Sequence, residues 1–150
     1  MSSIFFSLLL TYAFEDCQEG IYLRTRSDGN LFNLARLRAK TKVRQILVRY
    51  MLFADDAALV SHTEEGLQSL MDKFSHACCE FGLTISLKKT NIMGQMVDTP
   101  PHISIDNHEL EVVDNFTYLG FTTTSNLSLD AELNKRIGKA APVMVKLAKR

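Results

Sequence analysis

Cysteine is scarce here and its spacing carries no chemistry. Cys17, Cys78 and Cys79 form neither a disulfide framework nor a metal-ligand pattern. A stapled secreted scaffold is thereby excluded, and a reduced, intracellular setting is expected. Net charge is equally lacking: 17 basic residues balance 17 acidic ones, so nothing global demands a polyanionic partner. Repeats and low-complexity segments are absent. No apolar run approaches the ~20 residues needed to cross a bilayer, and no membrane partner is expected. Residues 4–10, IFFSLLL, have the size of a signal-peptide core but lack preceding basic residues and a small-x-small cleavage pattern. They read instead as part of a core helix, with Ile4, Leu8 and Tyr12 at helical spacing.

What is present is unevenly placed. Hydrophobic residues make up 46% of the 150, enough for one modest core. Residues 21–50 hold eight basic groups against Asp28 alone, residues 91–134 hold seven acidic groups and no Lys or Arg, and residues 135–150 hold six basic groups and no acid. Such segregation fits either solvated element faces or a basic surface for a polyanion.

Local patterns predict an α+β fold, with helices packed on one face of a mostly antiparallel sheet. Ser27-Asp28-Gly29-Asn30 marks a turn between extended pieces, and the alternating segment 34–49 reads as a solvent-facing strand pair or a short basic helix, with strand entering residue 50 the favoured reading. Ser61-His62-Thr63-Glu64 has a capping-box pattern. Behind it Leu67, Leu70, Met71, Phe74, Ala77, Cys78 and Phe81 make one apolar helical stripe, closed by Gly82. Leu83, Ile85 and Leu87 then alternate with polar residues as a half-buried strand would. Residues 102–105 and 110–113 flank a hairpin turn at 106–109, and NFTYLG (115–120) is strand-like. A polar loop at 122–126 should precede a helix from about Leu129. Its acidic first turn (Asp130, Glu132) and basic later turns (Lys135, Arg136, Lys139) suit the helix dipole, and Pro142 should kink or interrupt it.

The chemistry concentrates in RYMLFADDAALV, residues 49–60. Asp55 and Asp56 interrupt an otherwise apolar run with the shape of a tight hairpin, the pair at its tip. From pattern alone this is either a plain turn or a site. Two features favour a site. Ala54, Ala57 and Ala58 leave space at the tip, and no Lys or Arg lies nearer than Arg49 or Lys73. Adjacent carboxylates without a cation repel each other, and a divalent ion with a preference for oxygen ligands, magnesium or manganese, relieves that repulsion.

This hairpin, the helix after it, GLTISLKKTNIM and NFTYLG together resemble the palm of reverse transcriptases, RNA-directed DNA polymerases, and most closely those of non-LTR retrotransposons. The resemblance implies residues 1–121 as a partial palm and 122–150 as the start of the thumb. It implies Asp55 as direct ligand of Mg2+ (or Mn2+), with Asp56 its supporting neighbour, and Lys89, before Thr90, near the phosphates of an incoming dNTP, with Lys88 as the alternate. Asn91 stands where the family commonly has Glu. Phe116, Tyr118, Leu119 and Gly120 resemble the turn that grips the primer. Lys135, Arg136 and Lys139 would meet the backbone of a DNA primer or RNA template. The further catalytic aspartate of such enzymes, on a strand ahead of the first helix, has no counterpart in these residues. The chain alone is therefore expected to polymerise little or not at all. A non-catalytic nucleic-acid-binding module is the alternative; a viral RNA-dependent RNA polymerase fits less well, since that class usually has Gly where Ala54 stands.

Overall fold

The computed structural model of the chain describes residues 2–26, 43–54 and 56–148. They divide into two compact units, residues 1–85 and 86–150. The mixed α+β class expected from the sequence is what is found: among the described residues there are three helices and short strands, paired as five two-stranded ladders, four antiparallel and one parallel.

In the first unit, α1 (Ser2–Ala13) packs against α2 (Glu64–Glu80), with two antiparallel hairpins between them in sequence. Strand β1 (Ile21–Arg26) pairs with β2 (Val43–Val48), and β3 (Tyr50–Phe53) with β4 (Asp56–Leu59). The turn expected at 27–30 and the basic stretch 34–42 lie outside the described residues; the strand entering residue 50 is β2. Leu9, Leu10, Phe14, Cys17, Leu70, Ala77 and Cys78 form the core, and Tyr50, Leu52, Leu59, Phe74, Leu83 and Ile85 close over it. Phe14 stacks on Tyr50 with ring centroids 5.5 Å apart. Each fully buried leucine contributes about 1.5–3 kcal/mol relative to exposure.

The α2 stripe packs as its spacing predicts, with Leu70, Met71, Ala77 and Cys78 buried. The cap differs. Thr63, not Ser61, is the N-cap, its Oγ1 accepting the Gly66 N–H at 3.1 Å, while Ser61 Oγ accepts the N–H of Thr63. At the other end Gly82 sits at φ +70, where the Gly82 N–H reaches Cys79 O and the Leu83 N–H reaches Cys78 O. That pair of bonds is the Schellman closure, and it requires a left-handed residue. Burial pushes the Cys78 thiol pKa up.

The row predicted to face the core in α1 does not. Ile4, Leu8 and Tyr12 are 68%, 60% and 52% exposed, whereas Leu9 and Leu10 are fully buried. A helix apolar almost all round offers no unique stripe, and the partner helix selects the row. Residues 83–86 form no ladder; Leu83 and Ile85 pack on the core as extended chain without a strand partner among the described residues.

In the second unit a single 3-10 turn (Leu87–Lys89) leads to β5 (Asn91–Ile92), which lies parallel to β8 (Glu111–Val112). Between them β6 (Ser104–Ile105) and β7 (His108–Glu109) form a hairpin whose turn residues, Asp106 and Asn107, have φ +48 and +64. Both values suit a type I′ turn, which Asp and Asn tolerate. Ile92, Ile103, Ile105 and Leu110 are the buried apolar residues here.

Strand β9 (Asn115–Tyr118) turns at Leu119-Gly120 into β10 (Phe121–Thr124). The polar loop expected from residue 122 is therefore strand as far as Thr124. Three consecutive β-branched threonines explain why, since their branched side chains suit a pleated surface. Helix α3 (Asp130–Ala148) continues through Pro142, which removes the donor for the carbonyl of Gly138 without ending the helix. Its row of Leu133, Ile137, Met144 and Leu147 is exposed.

Candidate functional site

The hairpin of β3 and β4 is built from the core outward. Register pairs Tyr50 with Leu59 and Leu52 with Ala57, and Tyr50, Leu52 and Leu59 pack on the helices. Strand alternation then puts Met51, Phe53, Asp56 and Ala58 on the opposite face. There Met51 and Phe53 are 45% and 59% exposed, and Asp56 is exposed beside its cross-strand neighbour Phe53.

Register also moves the turn by one residue. Phe53 pairs with Asp56, so residues 54 and 55 lie between the strands, and Asp56 begins β4 instead of sharing the tip. Ala54 has φ +55. A Cβ in the left-handed region carries about 1–2 kcal/mol of strain relative to glycine. Asp55 itself lies outside the described residues. No cation pairs with Asp56 among the described residues, nor do three or more His, Cys, Asp or Glu gather into a metal-binding cluster among them. Asp56 thus offers an exposed carboxylate free of a described cationic partner. Its hard oxygen donors suit Mg2+ or Mn2+.

The remaining candidates belong to the second unit. Lys89 ends the 3-10 turn, exposed, with its N–H on Ser86 O; Thr90 Oγ1 donates to the same carbonyl at 2.9 Å. Lys88 is exposed in the same turn. Phe116 and Tyr118 lie on one face of β9, half-buried, with ring planes 17° apart and centroids 6.5 Å apart. Leu119 and Gly120 form the exposed turn, with φ +51 and +80.

Lys135 is drawn back against this hairpin, and Arg136 pairs with Glu132 on its own helix. Lys135 Nζ donates to Thr122 Oγ1 at 2.8 Å and to Thr117 Oγ1 at 3.4 Å. Arg136 Nε donates to Glu132 Oε1 at 2.5 Å, and Glu132 Oε2 accepts the Thr122 N–H at 2.7 Å. Glu132 is only 4% exposed. The Arg136 guanidinium, then the Thr122 N–H, hold its carboxyl down to about 2 against the opposing effect of burial. Lys139, one turn on, is exposed.

Sequence reasoning placed Glu132 only as a first-turn acid. Its i,i+4 spacing to Arg136 was the available signal for a helical pair. Nothing in the sequence pointed to its bond with Thr122. Among the described residues no helix is long and apolar enough to cross a membrane.

Comparison with known proteins agrees with the arrangement along the chain. A family model described as reverse transcriptase (RNA-dependent DNA polymerase) matches residues 1–123. Neither the curated proteins nor the solved structures compared with the chain give a match. The match runs from α1 through both hairpins and α2 into β10, more than half of the sequence. The chain belongs to the reverse transcriptase family.

Proposed function

We propose that the chain is part of the palm and the start of the thumb of a reverse transcriptase of the non-LTR retrotransposon type, with its metal-binding carboxylates at Asp55 and Asp56. The observation that carries this reading is the strained β3–β4 turn. Ala54 is held left-handed directly before the acidic pair, and Asp56 is exposed with no described cation beside it. A two-residue hairpin turn needs positive φ at its centre, and Gly, Asn or Asp supply it with less strain than the alanine found here.

Divalent ions bound there would neutralise charge developing on a triphosphate during nucleotidyl transfer. In this reading Asp55 is the direct ligand and Asp56 its neighbour, set on the outward face with Phe53. Lys88 and Lys89, both exposed, supply positive charge for the phosphates of a dNTP, with Lys89 the better match to the family pattern. The β9–β10 turn, Phe116 to Gly120, lies against the DNA primer. Lys135, Arg136 and Lys139 meet the backbone of primer or RNA template without reading sequence. Residues 1–121 are the palm portion and 122–150 the beginning of the thumb.

By themselves the 150 residues should extend a primer weakly or not at all. Two carboxylates without the family's further aspartate place the ions less well, and small misplacements are expensive in rate. A primer-extension assay on the purified chain with magnesium tests this. Little incorporation is expected. Robust incorporation abolished by Asp55→Ala would overturn the claim of weak activity while strengthening the assignment of Asp55. Duplex binding with a steep salt dependence but no response to magnesium would favour the non-catalytic binding module instead.

A further inference from the structure

The β9–β10 hairpin has an open edge that Glu132 fills. Across a two-residue turn the flanking residues, Tyr118 and Phe121, form the hydrogen-bonded pair of the ladder. The next pair, Thr117 and Thr122, is then the non-bonded kind, and the Thr122 N–H points away from β9. Another strand would ordinarily satisfy it. Here the acceptor is the Glu132 carboxylate, buried at 4% exposure and 2.7 Å away. The hairpin is fastened to α3 at one further point, where Lys135 Nζ bonds the Thr122 hydroxyl, and Thr124 Oγ1 donates to Ser128 O, just ahead of the helix, at 2.9 Å.

We propose that Glu132 is a positioning residue: it makes the Leu119-Gly120 turn and the basic face of α3 one rigid element that presents both to a nucleic-acid backbone. This rests on the reading of that turn and helix as a nucleic-acid interface. Arg136 serves in it by orienting the carboxylate, so that Oε2 stays on the Thr122 N–H while Oε1 takes the guanidinium. Two exposed features that must cooperate, the turn at 119–120 and Lys139, are thereby held in one geometry by a group that need not touch the ligand itself.

Charge and geometry predict opposite signs, which makes the role testable. Glu132 is an acid among basic residues, so by electrostatics alone its removal should tighten binding of a polyanion. If its work is positional, loss of the acceptor should weaken binding instead. The probe is a fluorescently labelled DNA primer annealed to an RNA template, titrated with the full chain and read by anisotropy. Glu132→Gln removes the charge but keeps an acceptor at the same reach; Glu132→Asp keeps the charge but withdraws it by one methylene.

Glu132→Asp should bind roughly tenfold more weakly than the parent chain, a difference of about 1.4 kcal/mol. Glu132→Gln should bind at least as tightly as the parent. Amide exchange at Thr122 should be fast in Glu132→Asp and slow in Glu132→Gln. That measurement needs no ligand, and slow exchange retained at the ladder amides shared by β9 and β10 separates loss of the clasp from partial unfolding. Tighter binding by Glu132→Gln with no loss in Glu132→Asp would overturn the positioning role while leaving the interface intact. Failure of the parent chain to bind the hybrid at all would overturn the interface reading itself, and the positioning role with it.

Discussion

Replacing Ala54 by glycine should stabilise the protein, against the general rule that glycine weakens a fold. In the left-handed region, at φ +55, the alanine Cβ carries about 1–2 kcal/mol relative to glycine. The substitution returns roughly 0.5–1 kcal/mol of conformational entropy to the unfolded chain. The balance is a gain of about 0.7 kcal/mol, or an upward shift of roughly 0.5 M in the urea midpoint for a slope near 1.5 kcal/mol/M. Gly120, at φ +80 with open space where a Cβ would stand, is the mirror experiment. Gly120→Ala should lose a similar amount, with no clash to confuse the sign. Urea denaturation followed by far-ultraviolet circular dichroism measures both. If Ala54→Gly destabilises while Gly120→Ala behaves as expected, Ala54 is not held left-handed and the strained-turn reasoning fails.

Two further outcomes follow from packing and charge. Leu70 is fully buried between α1 and α2, so Leu70→Ala should cost about 2–5 kcal/mol and leave the first unit unfolded or loosely packed in denaturation experiments. Glu132 has a folded-state pKa of about 2, below its ordinary value of 4.5, so the folded state binds the proton less readily. The stability it supplies is complete above pH 4.5 and disappears as pH falls towards 2. An acid titration of the parent chain should show a loss in that window that is smaller in Glu132→Gln.

Legibility in the sequence varied with how local the signal was. The α2 stripe and its Gly82 stop could be read directly, because helical period and a left-handed glycine act within a few residues. The buried row of α1 could not, since residues 4–10 are apolar nearly all round and α2 decides which side is covered. Strand β10 was hidden in threonines, which serve loops and strands alike. The β3–β4 hairpin was visible, but its centre lies one residue earlier than the Asp-Asp symmetry suggests. A left-handed alanine is a conformation that the sequence does not favour, so the packing of Tyr50, Leu52 and Leu59 sets the register. The Glu132–Thr122 contact joins a helix to a strand ten residues earlier, and no short-range pattern announces it.

The proposed catalytic role of Asp55 and Asp56 requires that their hairpin hold divalent ions. The most direct test is a titration of the purified chain with Mn2+, read by electron paramagnetic resonance of the free ion, beside the double variant Asp55→Asn, Asp56→Asn. Asparagine keeps size and turn preference while removing the charge. Saturable Mn2+ binding in the parent chain, lost in a variant that melts at the same temperature, is the predicted result. Indistinguishable isotherms would contradict it and leave the carboxylates as an ordinary turn.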